Sequence, residues 1–190
     1  MPDAIIVSAS SKSSVYLKDM LIQASYSDIK VFANAGEVRR FFTDDHCSIC
    51  IINAPLTDET GELLASDISS SGYAMVILII DAAYYEEVSE KVENSGVMTI
   101  SKPVNKALLW NTVKVAKAAS FRLDDMRDEN LKLTKRIEDI RVIDRAKYIL
   151  ISNMSMTESQ AHRYIEKQAM DSRMTRRKVA ERILRTYESL

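Results

Sequence analysis

Short apolar runs and amphipathic stretches alternate through the first 120 residues. "AIIV" (4–7), "KVFA" (30–33), "SICIIN" (48–53), "MVILII" (75–80) and "VMTI" (97–100) have the length and composition of strands. "SSVYLKDMLIQAS", "NAGEVRRFF", "GELLASDIS", "YYEEVSEKVENS" and "NKALLWNTVKVAKAA" separate or follow them and space their apolar residues at helical intervals. Five strands alternating with five helices predict a parallel sheet covered on both faces, a doubly wound α/β domain over residues 1–120. In such sheets function gathers at the carboxyl ends of the strands.

From Phe121 the period changes. Leu123, Met126, Asn130, Leu133, Ile137 and Ile140 follow one another at alternating steps of three and four, which predicts a coiled-coil linker helix over residues 121–141. Asn130 falls on this seam, where a buried amide fixes register and favours a homodimer. The alternative is one amphipathic helix lying against the chain's own α/β domain. Residues 142–190 predict a small all-α module of three helices. The first continues the linker through Ile143, Ala146, Ile149 and Leu150 and stops near Asn153. The second starts at Thr157, with Gln160 at the capping-box spacing, and buries Ala161, Tyr164, Ile165 and Ala169. The third runs from about Thr175 to Tyr187, with Val179, Ala180, Ile183 and Leu184 inward.

Charge sharpens this division. The formal net charge is −1, yet residues 1–120 carry 10 Lys+Arg against 15 Asp+Glu, while residues 121–190 carry 16 against 12. Six basic side chains lie between Arg173 and Arg185, interrupted only by Glu181. At about 100° per residue, Arg163 and Lys167 share the outer face of the second helix. Lys178, Arg182 and Arg185 face outward from the third, and Arg173 and Arg177 flank the turn between them. A basic helical surface of this kind suits a phosphate backbone, with affinity that falls steeply with salt.

Composition excludes other classes. Hydrophobic residues at 46% supply a core, and four Gly with three Pro leave little room for disordered linkers. No apolar run approaches the roughly 18–20 residues of a membrane span, so a soluble, cytoplasmic protein without a membrane partner is expected. "HCSIC" (46–50) has a Cys-x-x-Cys spacing, but Cys50 falls in a buried strand, no second pair exists, and His162 is the only histidine besides His46. Buried apolar cysteines are the better reading. No phosphate loop, metal-ligand cluster or nucleophile elbow occurs, so neither an enzyme nor a cofactor nor a metal is expected.

At the strand ends the chain resembles a receiver domain of two-component signalling, a flavodoxin-like fold. "SKPV" (101–104) is similar to the family's Lys-Pro pair, which places Lys102 as its retained phosphate-sensing lysine. Gly61 stands eight residues beyond Asn53, the receiver spacing from phosphoacceptor to glycine. The reactive groups differ. Asn53 occupies the phosphoacceptor position, and an amide cannot form an acyl phosphate. Ser8 and Ala9 stand where Mg²⁺ ligands are expected, and hard cations need oxygen anions. The hydroxyl position at the end of the fourth strand falls near Ile80. A pseudo-receiver is expected, in which Lys102 is either a structural cation or a contact for a different anionic ligand.

The carboxy-terminal stretch "RAKYILISNMSMTESQAHRYIEKQAMDSRMTRRKVAERIL" resembles an ANTAR domain, the RNA-binding output module of a class of bacterial response regulators. The resemblance covers about 45 residues, including "RAK" with Leu150, "MTESQAHRYI", "QAMDSR" and "RKVAERI". Tyr148, where a glycine is usual, and Arg176, where an apolar residue is frequent, depart from it. The resemblance implies a dimeric antiterminator that grips two adjacent stem-loops of nascent messenger RNA. It thereby prevents an overlapping terminator from forming and acts on RNA polymerase indirectly. Lys147, Arg163, Tyr164, Lys167, Arg173 and Arg177 are the candidate RNA contacts, although the helical phase of Tyr164 also fits a core position. A DNA-binding regulator and a phosphorylation-independent protein-interaction adaptor are the alternatives.

Overall fold

The computed structural model describes residues 2–42 and 46–188. Five strands, β1 (Ala4–Ser8), β2 (Ile29–Phe32), β3 (Ile49–Asn53), β4 (Met75–Asp81) and β5 (Met98–Lys102), form one parallel sheet in the order β2-β1-β3-β4-β5. This is the flavodoxin-like order, with its switch point between β1 and β3. Helices α1 (Ser11–Gln23), α2 (Ala35–Phe41), α3 (Glu62–Ser70) and α4 (Tyr85–Val92) alternate with the strands, and α5 (Lys106–Met154) follows β5.

Alternate residues of each central strand feed two cores, as the pleat requires. Ile5, Val7, Cys50, Ile52, Val76 and Leu78 pack with α2, α3 and α4 on one face. Ala4, Ile6, Ile49, Ile51, Ile77 and Ile79 pack with Leu17 and Leu21 of α1 and Leu109 and Val113 of α5 on the other. Burial on both faces explains why these strands read as continuous apolar runs rather than alternating ones. The amino ends of β1 and β2 are tied together by Asp3, whose carboxylate accepts from Ser27 N at 3.0 Å, Ser27 Oγ at 2.7 Å and Asp28 N at 3.1 Å. These donors hold its pKa down at about 2. Asp58 similarly accepts from the Ala35 and Gly36 amides and anchors the start of α2.

The sequence predicts one helix ending near residue 119 and another from Phe121; the structure has a single α5 of 49 residues. Its start is set by Asn105, whose side chain accepts from the amides of Ala107 and Leu108. Nothing interrupts it, because the chain contains neither Gly nor Pro after Pro103. Helices α6 (Glu158–Asp171) and α7 (Arg176–Glu188) follow. Contacts divide the chain into two units, residues 1–124 and 125–190. Among the described residues, no helix is long and apolar enough to cross a membrane.

Candidate functional site

Two regions carry the residues singled out by sequence. The first is the carboxyl edge of the receiver sheet, where Ser8, Asn53, Asp81 and Lys102 are the last residues of β1, β3, β4 and β5. Strand register sets Ser8 opposite Asn53, and Asp81 opposite Lys102. Asn53 is 9% exposed, and its Nδ2 donates to Ser8 Oγ at 3.0 Å. A neutral hydrogen bond therefore joins the positions where a receiver places its metal-binding carboxylate and its phosphoacceptor. Lys102 is half-buried, and its ammonium donates to the Ala54 carbonyl. That bond ties the loop after β3 to the end of β5. Gly61 begins α3 at φ 94°, and a Cβ there would meet Ile52 Cγ2 at 3.2 Å. Glycine is required at this close approach.

The end of the fourth strand differs from the sequence reading. The fourth strand runs past Ile80, which is 4% exposed in the core, and ends at Asp81. The carboxylate of Asp81 accepts from Ala83 N at 3.0 Å and caps the following turn. Apolar composition ended the strand one residue early because the final ladder partner is charged. The cysteines lie where sequence placed them: Cys50 is fully buried, Cys47 is 8% exposed, and burial pushes the Cys47 thiol up to about 12. Such thiols are inert.

The second region is the three-helix module. Ala146 and Leu150 of α5, Ala161 and Ile165 of α6, and Val179 and Ala180 of α7 form its centre, each at most 1% exposed. Alanines on all three helices let the backbones approach closely. Thr157 and Gln160 form the predicted capping box: Gln160 N donates to Thr157 Oγ1 at 3.3 Å, and Thr157 N to Gln160 Oε1 at 2.8 Å. At the other end of α6, Met174 N donates to Ala169 O and Arg173 N to Met170 O. This is a Schellman turn, and its left-handed residue is Arg173 at φ 51° instead of glycine.

The candidate cations fall into two groups. Lys147 is bound by Asp144 at 2.8 Å and Glu158 at 2.9 Å, which ties α5 to the first turn of α6. Arg177 reaches Asp139 at 2.6 Å and Glu181 at 2.9 Å, so it ties α7 to α5. Both partners raise the Arg177 pKa further above its ordinary value. By contrast, Arg163, Lys167, Arg173 and Lys178 are exposed and have no acidic partner among the described residues. Arg176 is held by Glu166 at 3.2 Å. Tyr164, one of the candidate contacts, is 36% exposed and lies between Arg163 and Lys167 along α6. It is therefore not the buried residue its helical phase predicts. Sequence pattern also gave no weight to Tyr148, which is 72% exposed and lines a cleft of about 770 Å³ with Arg141, Arg145 and Tyr187.

The predicted seam on α5 is open to solvent. Leu123, Met126, Leu133, Ile137 and Ile140 are 41–58% exposed, and every side chain from 121 to 138 is exposed.

Residues 131–184 match the ANTAR domain. With a receiver-like fold ahead of this match and Asn53 where receivers carry their phosphoacceptor, the chain has the domain order of an ANTAR-domain response regulator. It is similar to the transcriptional regulatory protein PdtaR of Mycobacterium tuberculosis, 25% identical over 171 residues that cover 90% of this chain and 83% of that protein. Solved structures agree on the fold of the front part. The signal receiver domain of an HD domain-containing protein from Pseudomonas fluorescens Pf-5 superposes with a TM-score of 0.57 at 17% identity, covering 65% of this chain and 92% of that one. The CheY-like response regulator receiver domain from Methanospirillum hungatei JF-1 gives 0.55 at 21% identity, covering 63% and 95%.

Proposed function

We propose that the chain regulates transcription by binding RNA. As a dimer it grips tandem stem-loops of a nascent transcript, prevents an overlapping terminator from forming, and lets the polymerase read on. One observation carries the reading: Arg163, Lys167, Arg173 and Lys178 project from the ANTAR module without acidic partners among the described residues, although acidic side chains neutralise the neighbouring Lys147 and Arg177. Unpaired cations attract a polyanion without first breaking an internal ion pair. Tyr164, exposed among them, offers an aromatic ring on which a splayed loop base can stack, a mode open to RNA hairpins rather than to regular duplex. Lys147 and Arg177 act as positioning residues that hold the helices. The printed name of the relative, a transcriptional regulatory protein, supports the same process.

The dimer forms through α5. A helix exposed all round over 18 residues, 121 to 138, lacks the packing that stabilises helices in water. Pairing the seam buries it, and Asn130 selects a parallel dimer in register. Two modules on one dimer then bind two hairpins with the gain of effective concentration. The receiver contributes no phosphoryl switch, since Asn53 and Ser8 supply neither nucleophile nor metal ligand.

Transcription in vitro tests the proposal. On a template whose leader encodes paired hairpins, the second overlapping a terminator, added protein raises read-through, and deleting the first hairpin removes the effect. Termination that stays constant with protein present contradicts it.

A further inference from the structure

The receiver cleft is lined by two lysines and by no carboxylate among the described residues. A cleft of about 440 Å³, within the range of small-molecule sites, opens between the start of α1 and the loop joining β5 to α5. Lys12 and Lys102 line it, and no acidic side chain does so among the described residues. Asn53, nine-tenths buried, forms part of the wall and spends only one of its two amide N–H donors on Ser8 Oγ. Ser13, in the first turn of α1, adds a hydroxyl near the positive end of that helix. The rest of the lining is apolar or aromatic: Tyr16, Leu17, Ile79, Pro103 and Val104. Ile79 pairs in register with Asn53. Two positive charges, spare donors and a greasy wall select an anion that carries an apolar body.

We infer that this cleft binds a small organic anion, a carboxylate or phosphate head on a short hydrophobic frame, held by Lys12, Lys102 and Asn53. No covalent bond forms and no metal takes part. The inference concerns the α/β domain alone, and its outcome is independent of RNA recognition by the ANTAR module.

Titration of the full ¹⁵N-labelled chain with phenyl phosphate, benzoate and benzyl alcohol, followed by amide chemical shifts, tests it. At least one of the two anions moves the amide signals of Ser13, Asn53 and Val104 at millimolar concentration, and the tighter of them identifies the head group. Benzyl alcohol, of like shape and no charge, leaves those signals in place. Lys12→Ala removes one charged contact from an exposed position and weakens the anion about tenfold. Asn53→Asp sets a negative charge beside the head group and weakens it at least as much, in a side chain of nearly equal size. Three results would each overturn the inference: no response of these amides to either anion, an equal response to benzyl alcohol, or anion binding undiminished in both variants. Shifts confined to residues 163–185 would likewise overturn it, because the anion would then sit on the basic module.

Discussion

The receiver edge and the ANTAR face both present lysines and arginines, but they keep opposite things. The receiver preserves its scaffold while its reactive groups are gone: one neutral hydrogen bond joins Asn53 to Ser8, and the central strands, buried on both faces, need no help from them. The ANTAR module packs alanines between Leu, Ile and Val side chains, and its distinguishing feature lies on the surface, in Arg163, Lys167, Arg173 and Lys178, which have no acidic partner among the described residues. Strand-end residues of a doubly wound sheet contribute chemistry rather than stability, so they change without disturbing the fold. On the helical module, the proposed RNA contacts differ from Lys147 and Arg177 in that no carboxylate among the described residues holds them.

The largest effect that would sharpen this contrast is on RNA. Replacing Arg163, Lys167 and Arg173 together by Ala reduces affinity for a hairpin at low salt by about 100-fold or more, and lowers the slope of log K against log salt by about 2. Filter binding over a salt series measures both, and Asn53→Ala in the receiver leaves both unchanged. Next in size, Leu133→Asp with Ile137→Asp sets charge on the seam and converts the dimer to a monomer in sedimentation equilibrium. The monomer binds tandem hairpins about 10- to 100-fold more weakly, since effective concentration is lost.

A smaller pair of changes separates positioning from contact. Arg173→Gly relieves the left-handed backbone at φ 51° and raises stability by about 1 kcal/mol, while weakening hairpin RNA about tenfold. Arg177→Ala does the reverse: it lowers the melting temperature by removing the tie to Asp139, with RNA affinity falling less than for Arg173→Gly. Thermal melts beside RNA titrations read the crossing. The smallest effect is one of pH in the receiver. The Asp3 carboxylate has its folded pKa lowered to about 2, so its contribution is complete above the unfolded value of about 3.9 and is lost as pH falls through 2. Asp3→Asn removes this contribution, so the difference in stability between the two proteins, followed by denaturant midpoints, shrinks between about pH 4 and pH 2.

Much of the fold was legible because burial leaves a pattern. Fully buried strands read as apolar runs, and the capping pair Thr157 and Gln160 marked the start of α6, but the continuity of α5 was missed because the apolar period changes near Phe121 while the backbone stays helical. Asp81 escaped notice because a charged residue closes the ladder opposite Lys102. The division among the cations was only partly legible. Asp144–Lys147 and Arg177–Glu181 have the spacing of helical ion pairs, but Glu158 and Asp139 come from other helices and are met only in the fold. The strained Arg173 left no trace either, since a Schellman turn is usually announced by glycine.

On the proposed function, unpaired cations of the ANTAR module bind folded RNA without any phosphoryl signal. Affinity of the purified, full-length chain for a tandem-hairpin RNA and for a DNA duplex of equal charge, titrated with and without acetyl phosphate and Mg²⁺, tests it most directly. Binding to the RNA is expected to be tighter, to weaken steeply with salt and to be identical in the two conditions. Preference for the duplex, no binding at low ionic strength, or binding that requires acetyl phosphate would contradict it.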